Sequence, residues 1–102
     1  MAAIQVVSYR RPGPLTPRRA GRLRAGAVRL TPGASMDWHS TRSREELLVL
    51  LAGRVELEVE GSRHRVRRMA LRPGRCAWIA PRTVHRVINR TRAIARYLYI
   101  TA

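Results

Sequence analysis

Turn signals recur at short, regular intervals along most of this chain, and they restrict the fold more than any other feature. From Leu23 onward they separate short runs of β-prone residues, and they stand at Thr31-Pro32-Gly33, Ala52-Gly53, Glu60-Gly61, Arg72-Pro73-Gly74 and Asn89-Arg90-Thr91. No window holds a sustained 3.6-residue apolar period, and the run 47–52 is too short and too uniformly apolar to predict a helix. Short strands at this spacing are typical of an all-β sandwich or barrel of antiparallel sheet.

The clearest local pattern lies on either side of Glu60-Gly61. Apolar residues alternate there with glutamates, which predicts a strand with one buried and one solvated face; the apolar set is Val55, Leu57 and Val59, and the acidic set is Glu56, Glu58 and Glu60. A two-residue turn at Glu60-Gly61 predicts a defined register: Glu58 opposite Arg63, Glu56 opposite Arg65, Leu57 opposite His64 and Val55 opposite Val66. A bulge at Arg67-Arg68 then returns Met69 and Leu71 to the inner face.

The N-terminal part of the chain differs from the rest in composition. The apolar run Ile4–Tyr9 predicts an edge strand. The segment Arg10–Gly26 is rich in Arg, Pro and Gly, and Pro12, Pro14 and Pro17 exclude a helix or a central strand. We therefore expect a single domain over residues 1–102, with residues 1–22 as an edge strand and a basic arm, and residues 23–101 as the β-barrel core.

The net charge of +15 raises the question of an anionic partner, because such a charge is typical of proteins that bind nucleic acid. All 21 basic residues are Arg, however, and they are spread along the whole chain. That distribution favours a compositional bias of the gene over selection for phosphate contacts. The sequence thus predicts no nucleic-acid partner, with a basic nucleic-acid-associated protein kept as an alternative.

The single cysteine excludes an intrachain disulfide and is typical of a reducing compartment. We expect Cys76 to lie in a mostly buried strand, Cys76–Ala80. The N-terminus lacks an apolar signal-peptide region, and the longest apolar run is far too short to cross a bilayer. These observations predict a cytoplasmic protein with no membrane partner.

Two histidines and one carboxylate form the most informative chemical set. His39 precedes the apolar run of residues 47–52, Glu46 stands directly before it, and His85 opens a later alternating stretch. Imidazoles and a carboxylate on strands that pack together are the ligands of many divalent metal sites. The residues alone therefore predict a metal site of two imidazoles and one carboxylate. A cavity that keeps these polar residues but binds no metal is the alternative.

These residues stand in a spacing that resembles the two motifs of the cupin superfamily. The first motif runs G-x5-H-x-H-x(3,4)-E-x6-G, and the stretch from Gly33 through His39, Thr41 and Glu46 to Gly53 fits it except at Thr41. The second motif runs G-x5-P-x-G-x2-H-x3-N. In this chain Gly74, His85 and Asn89 keep that spacing, whereas Ala80 and Arg82 replace the motif's Pro and inner Gly. The resemblance covers about Leu23 to Thr101.

The resemblance implies a cupin double-stranded β-helix, a small antiparallel jelly-roll barrel with a divalent metal ion in its inner cup. The family's ligand positions carry over to His39, Thr41, Glu46 and His85, and the ion implied is Fe, Mn, Zn, Ni or Cu. Thr41 stands where the family has its second histidine, and we expect its side chain to point into the cup beside His39. Further residues expected to line the cup are His64, Trp78 and Asn89.

The function implied is binding of a metal ion together with a small polar molecule, on which the protein acts as a dioxygenase- or isomerase-like enzyme. A non-catalytic small-molecule or sensor module without metal is the alternative, and the sequence does not decide whether the protein is an enzyme. Related small cupins commonly pair by sheet extension. The sequence therefore predicts a homodimer, with Val6, Val7, Leu98 and Ile100 as its apolar contacts.

Overall fold

The computed structural model describes residues 3–102, which form nine strands and one 3₁₀ turn. The strands are β1 (Gly13–Pro14), β2 (Arg24–Leu30), β3 (Ser35–Ser40), β4 (Glu46–Ala52), β5 (Val55–Glu60), β6 (Val66–Leu71), β7 (Cys76–Ile79), β8 (Val84–Ile88) and β9 (Ala95–Thr101); the 3₁₀ turn is Ser62–His64. No helix of the described residues is long and apolar enough to cross a membrane.

The strands form two antiparallel sheets that face each other as a small jelly-roll barrel. The five-stranded sheet has the order β1-β2-β9-β4-β7, and the four-stranded sheet has the order β3-β8-β5-β6. Each pair of hydrogen-bonded neighbouring strands in the described residues is antiparallel, as the turn spacing predicts. The predicted all-β fold class is therefore confirmed.

The core lies between the two sheets, where alternate residues of each strand point inward. Burial alternates along β4 and β9, so that Leu48, Leu50, Ala95 and Tyr97 are buried while their neighbours are only partly so. Val55 and Leu57 of β5, Leu71 of β6, Ile79 of β7 and Val87 of β8 complete the packed cluster, together with Leu30 of β2. Burying side chains of this size supplies about 1.5–3 kcal/mol each, so the cluster holds the sheets together.

The predicted register of the hairpin around Glu60-Gly61 is wrong. Val55 pairs with Leu71, Glu58 with Arg68 and Glu60 with Val66, five residues away from the expected partners. The connection is longer than two residues because the 3₁₀ turn lies between the strands, with Arg63 and His64 at positive φ. In this register β6 needs no bulge: its residues alternate faces from the start of the strand.

Glu58 lies on the outer face of the four-stranded sheet, but it is not solvated. Its side chain is 1% exposed and accepts hydrogen bonds from Arg68 at 2.6 Å and from Arg86, with Arg90 3.8 Å away. The guanidinium groups cover the carboxylate, and Arg86 in turn stacks on the ring of Trp38. The alternation predicted the face correctly and the exposure wrongly, because long arginine stems can bury an outward-pointing acid.

The N-terminal segment also departs from expectation. No strand forms over the predicted span Ile4–Tyr9, and the edge strand β1 is the Gly13–Pro14 pair within the arm, which joins β2. Ile4 and Val6 are 84% and 91% exposed. A β-prone sequence needs an edge to pair with, and β1 already occupies the edge of β2. The arm is also attached to the sheet just before β1, where Arg96 donates a hydrogen bond to the carbonyl of Arg10 at 3.1 Å.

Candidate metal centre

Three side chains from both sheets meet at one end of the core. His39 of β3 and His85 of β8 are direct cross-strand partners, and their ring centroids lie 4.3 Å apart. Glu46, the first residue of β4, reaches them from the opposite sheet. One ligand atom from each of the three residues lies within 4.8 Å of the others. Donors that bind one metal ion at about 2.0–2.2 Å lie at most about 4.4 Å apart, so this spacing is close to what a shared ion requires.

Both imidazoles are held so that the same nitrogen points to the centre of this triangle. The Nδ1 of His39 lies 2.7 Å from the carbonyl oxygen of Asp37, and that of His85 lies 3.0 Å from the carbonyl oxygen of Thr83. A carbonyl oxygen only accepts, so each Nδ1 carries the proton. In His39 the lone pair of Nε2 is therefore available to a metal, and in His85 it becomes available when the proton shared with Glu46 leaves, an arrangement common for metal-binding histidines.

Glu46 and His85 form a hydrogen-bonded pair, with the Glu46 carboxylate 2.9 Å from Nε2 of His85. His85 is fully buried and Glu46 is 8% exposed. Burial lowers the pKa of His85, but the hydrogen bond to Glu46, the Thr83 carbonyl and the Glu46 charge outweigh it and raise that pKa above 6.5. When it is protonated, His85 occupies the position beside the carboxylate that a metal ion would take.

The three side chains line a cavity of about 160 Å³ between the sheets. Its remaining wall is mainly apolar and consists of Met36, Leu48, Val87, Tyr97 and Tyr99. At roughly 30 Å³ for each water molecule, the space holds about five waters. Burial raises the pKa of Tyr97, and the nearby Glu46 charge raises it further, so its hydroxyl remains neutral. The cavity suits a molecule of only a few heavy atoms.

One glycine outside the ligand strands lies directly against a wall residue of this cavity. A Cβ atom placed on Gly26 of β2 would lie 2.5 Å from ring and hydroxyl atoms of Tyr99, its cross-strand partner on β9. The absence of a side chain therefore allows the Tyr99 ring to lie against the β2 backbone. The ring forms the wall of the cavity without filling it.

Thr41 does not point into the cup, contrary to expectation. It is buried outside the cavity, where its hydroxyl donates to the carbonyl of Ala80 at 2.8 Å and accepts from the amide of Thr83 at 3.1 Å. Two irregularities explain this: the β3 register shifts between Met36 and His39, and the strand ends at Ser40. Thr41 therefore fixes the turn that precedes His85.

The other residues expected to line the cup also lie elsewhere. Asn89 is fully buried, but its amide donates to the carbonyls of Leu30 and Ala93, and its oxygen accepts from Thr91. The side chain of His64 is 92% exposed in the 3₁₀ turn and contacts Glu60. Trp78 is 63% exposed and donates to Glu45 at 3.0 Å. None of these three lines the cavity beside the metal ligands.

Met36, Tyr97 and Tyr99 line the cup although the sequence did not single them out as site residues. The register of β9 with β4 places Tyr99 opposite Leu48 and Tyr97 opposite Leu50, on the inner face. The alternation of residues along β9 was the sequence signal that could have placed both tyrosines on the inner face. Cys76 was expected to be buried and is exposed, because β7 is the edge strand of its sheet.

A second, larger opening of about 520 Å³ lies between the edge strands β6 and β7. Leu57, Val59, Met69 and Ile79 form much of its lining, and none of the three metal ligands reaches it. Its size alone does not make it the functional site. The smaller cavity is lined by the buried titratable residues Glu46, His85 and Tyr97, which are the stronger indication of chemistry.

Comparison with known proteins agrees with the fold. A family model described as Cupin domain matches residues 26–101. A Cupin 2 conserved barrel domain protein from Salinispora arenicola superimposes with a TM-score of 0.75 at 18% identity, covering 99% of this chain and 88% of that chain. No curated protein matches the sequence.

Two oxalate enzymes are also similar in structure. An oxalate oxidase in complex with the substrate analogue glycolate gives a TM-score of 0.71 at 17% identity, over 78% of this chain and 41% of that chain. Bacillus subtilis oxalate decarboxylase, a protein with Mn(II) centres, gives 0.71 at 20% identity, over 78% and 21% of the two chains. The present chain spans less than half the length of either enzyme, and the likeness is one of fold.

Proposed function

The chain belongs to the cupin family, and from that premise we propose that it binds one divalent metal ion through His39, Glu46 and His85. The observation that carries the proposal is the convergence of three ligand atoms within 4.8 Å, with both Nδ1 atoms already engaged by backbone carbonyls. Two neutral imidazoles and one carboxylate suit Fe, Mn, Zn, Ni or Cu.

This ligand set leaves coordination positions open for a small molecule. A divalent ion bound there supplies a Lewis acid and, for Fe or Mn, a redox centre. The chain itself contributes the orientation: the carbonyls of Asp37 and Thr83 fix the two imidazoles. Met36, Leu48 and Val87 form an apolar wall beside the ligands, while His39 and Met36 are exposed at the mouth of the cavity.

The molecule held in the cup is, in this proposal, a small oxygen-rich anion such as a short carboxylate. The volume of about 160 Å³ limits it to a few heavy atoms. The net charge of +15 attracts anions to the protein, and the neutral hydroxyl of Tyr97 offers a donor in the wall. The oxalate oxidase with glycolate is a fold relative that binds a molecule of this class. Oxygenation or isomerisation of that anion is the catalytic form of the proposal.

A metal-free small-molecule or sensor module is the second candidate, and one observation favours it. Glu46 and His85 satisfy each other by a hydrogen bond of 2.9 Å, so neither side chain is left unpaired without an ion. Thr41 also removes the fourth family ligand and uses its hydroxyl in the turn before His85. The two candidates share the cavity and differ only in whether a metal ion displaces the His85 proton.

Metal content separates the two candidates. Protein purified without a polyhistidine tag is analysed for bound metals, stripped with a chelator, and titrated with Mn, Fe, Ni, Zn and Cu by calorimetry. We expect one ion per chain, with proton release at a pH where His85 is protonated, because the metal replaces the Nε2 proton. Stripped protein that binds none of these metals would leave the metal-free module as the better account.

The cytoplasmic location is still a prediction.

A further inference from the structure

The two sheets are not closed at the border between β6 and β7. Each of these strands is the last of its sheet, and the opening of about 520 Å³ lies between them. The packed core forms its floor, since Leu57, Leu71 and Ile79 line it and are at most 6% exposed. A volume of this size is within the range of roughly 300–1,000 Å³ that is typical of sites for small organic molecules. The opening therefore has room for a larger molecule than the cup can hold.

One arginine lies on the inner face of β6, where apolar residues are expected. Arg67 is the cross-strand partner of Val59, and Val59 is the partner of His85, so the three residues share the inner face. Met69 and Leu71 follow on the same face of β6. Arg67 is nevertheless exposed, because β6 is an edge strand, and it lines the opening.

A second arginine lies at the other end of the opening. Arg75 also lines it and closes the turn after β6, where its amide donates to the carbonyl of Arg72 at 3.0 Å. Arg67 is four residues from Leu71, the end of β6, which corresponds to about 13 Å along a strand. The opening thus has a cation near each end and an apolar wall between them, and Arg72 adds charge of the same sign.

No acidic residue of the described chain lines this opening or pairs with either of the two arginines. Of the six acids in the sequence, three lie on the outward side of β5, and Asp37 is on β3. The other two are engaged: Glu45 accepts a hydrogen bond from Trp78, and Glu46 is paired with His85. The charge at both ends of the opening is therefore not neutralised within the chain.

Two cations separated by an apolar wall are complementary to a molecule with the inverse pattern. We propose that the opening between β6 and β7 binds an elongated organic acid with a carboxylate at each end and an apolar body. Arg67 and Arg75 pair with the two carboxylates, because a guanidinium presents donors that match the two oxygens of a carboxylate. Met69, which is 40% exposed and flexible, covers the apolar body from the side. This site is separate from the proposed metal centre, since none of the three metal ligands lines it.

Calorimetric titration of full-length, metal-stripped protein with sebacate, a linear ten-carbon dicarboxylate, tests the proposal. We expect one molecule per chain. Arg67→Gln and Arg75→Gln are each expected to weaken binding about 5-fold, the size typical of an exposed ion pair. Met69→Glu places a like charge in the apolar wall and is expected to weaken it at least about 10-fold. Arg29→Gln removes the same charge from an exposed position on β2 and is the matched control, with no expected change. Circular dichroism verifies that each variant is folded.

Two further ligands test the pattern of charges. The monomethyl ester of sebacate has one carboxylate and is expected to bind about 5-fold more weakly. Succinate has both carboxylates but a short apolar body, and it is expected to bind at least about 10-fold more weakly than sebacate. Equal binding of succinate and sebacate would overturn the proposal, because attraction to the net charge of +15 would then suffice.

The variants can also contradict the location of the site. An Arg67→Gln variant that binds sebacate like Arg29→Gln would overturn the proposal and leave Arg67 as a charge that hinders pairing of the β6 edge with another chain. Loss of sebacate binding in His85→Ala would place the molecule in the cup instead. Unchanged binding in His85→Ala, with metal affinity lost, would show that the two sites are independent.

Discussion

Two buried carboxylates, one on each sheet, show how the same group can serve two purposes. Glu46 lies in the cup, is 8% exposed and has one charged partner, His85. Glu58 lies under the arginines of the outer face, is 1% exposed and has three cationic neighbours, Arg68, Arg86 and Arg90. An imidazolium can lose its proton and accept a metal, whereas guanidinium groups stay charged. The Glu46 pair can therefore be exchanged for a metal, and the Glu58 cluster is structural.

Removing the His85 imidazole is the strongest test of whether a metal can replace the proton in the Glu46–His85 pair. His85→Ala deletes the only ligand from β8, and metal affinity is expected to fall by more than about 100-fold. Calorimetric titration of metal-stripped protein measures the change. His64→Ala is the matched control, because this histidine is 92% exposed in the 3₁₀ turn. Equal losses in both variants would place the metal outside the cup.

Neutralising Glu58 tests the structural side. Glu58→Gln keeps the shape but leaves Arg68 and Arg86 without their shared acid, and we expect a loss of about 2 kcal/mol in unfolding free energy. The figure lies below the roughly 3–5 kcal/mol typical of a broken buried pair, because the arginines are partly exposed and can turn to solvent. Urea denaturation provides the measurement. Glu60→Gln on the same strand is the control, with little expected change because Glu60 is exposed.

The two carboxylate sites are expected to respond to pH in opposite directions. Burial raises the pKa of Glu58, but hydrogen bonds and charges from Arg68 and Arg86 outweigh it and hold that pKa below 4.5. Its contribution to stability is therefore present above 4.5 and lost as the pH falls through the folded pKa. The raised pKa of His85 has the reverse effect, with stability present below 6.5 and lost as the pH rises through the folded pKa.

Urea denaturation of chelator-treated protein across pH measures both effects. The difference between wild type and Glu58→Gln should shrink as the medium is made more acidic than pH 4.5. The difference between wild type and His85→Ala should shrink instead as the medium becomes alkaline. Parallel pH profiles for the two variants would mean that the two carboxylates do not differ in the way described.

A smaller effect is expected at Thr41, where the family motif and the structure disagree. Thr41→Val removes the hydroxyl that bridges the Ala80 carbonyl and the Thr83 amide, and a loss of about 1–3 kcal/mol in unfolding free energy follows from the unpaired groups. Thr41→His should not tighten metal binding, because position 41 lies outside the cavity. Calorimetry showing an affinity gain for Thr41→His would indicate that the turn can rearrange to deliver a fourth ligand.

The smallest expected effect concerns nucleic acid. Several arginines are engaged with glutamates or backbone carbonyls, among them Arg68, Arg86 and Arg90. We expect only weak, non-specific binding of duplex DNA at near-physiological salt, with a dissociation constant of about 10⁻⁴–10⁻⁶ M. Fluorescence anisotropy over a series of salt concentrations measures it. Nanomolar binding with a steep salt dependence would revive the alternative of a nucleic-acid-associated protein.

The sequence predicted the fold class well, because turn residues and period-2 alternation are local signals. It also placed His39, Glu46 and His85 together, since the motif spacing positions them on neighbouring strands. Register was harder to predict. The turn after Glu60 holds Arg63 and His64 at positive φ. Because neither residue is glycine, no residue in the sequence signalled this backbone conformation. Thr41 was misplaced because alternation assumes an unbroken strand, and β3 shifts register before His39. The N-terminal strand was predicted from β propensity alone, and propensity does not show whether a sheet edge is available for pairing.

The close approach of Tyr99 to Gly26 implies that binding selectivity can change without any change in the ligand set. A methyl group at position 26 would displace the Tyr99 ring from the β2 backbone toward the cavity. One wall residue of the cup is therefore positioned by a strand that contributes neither a metal ligand nor a charged group to the cup. Chemistry and size selection are thus separable in this fold, and redesign of the accepted molecule can begin at the wall while leaving the metal centre intact.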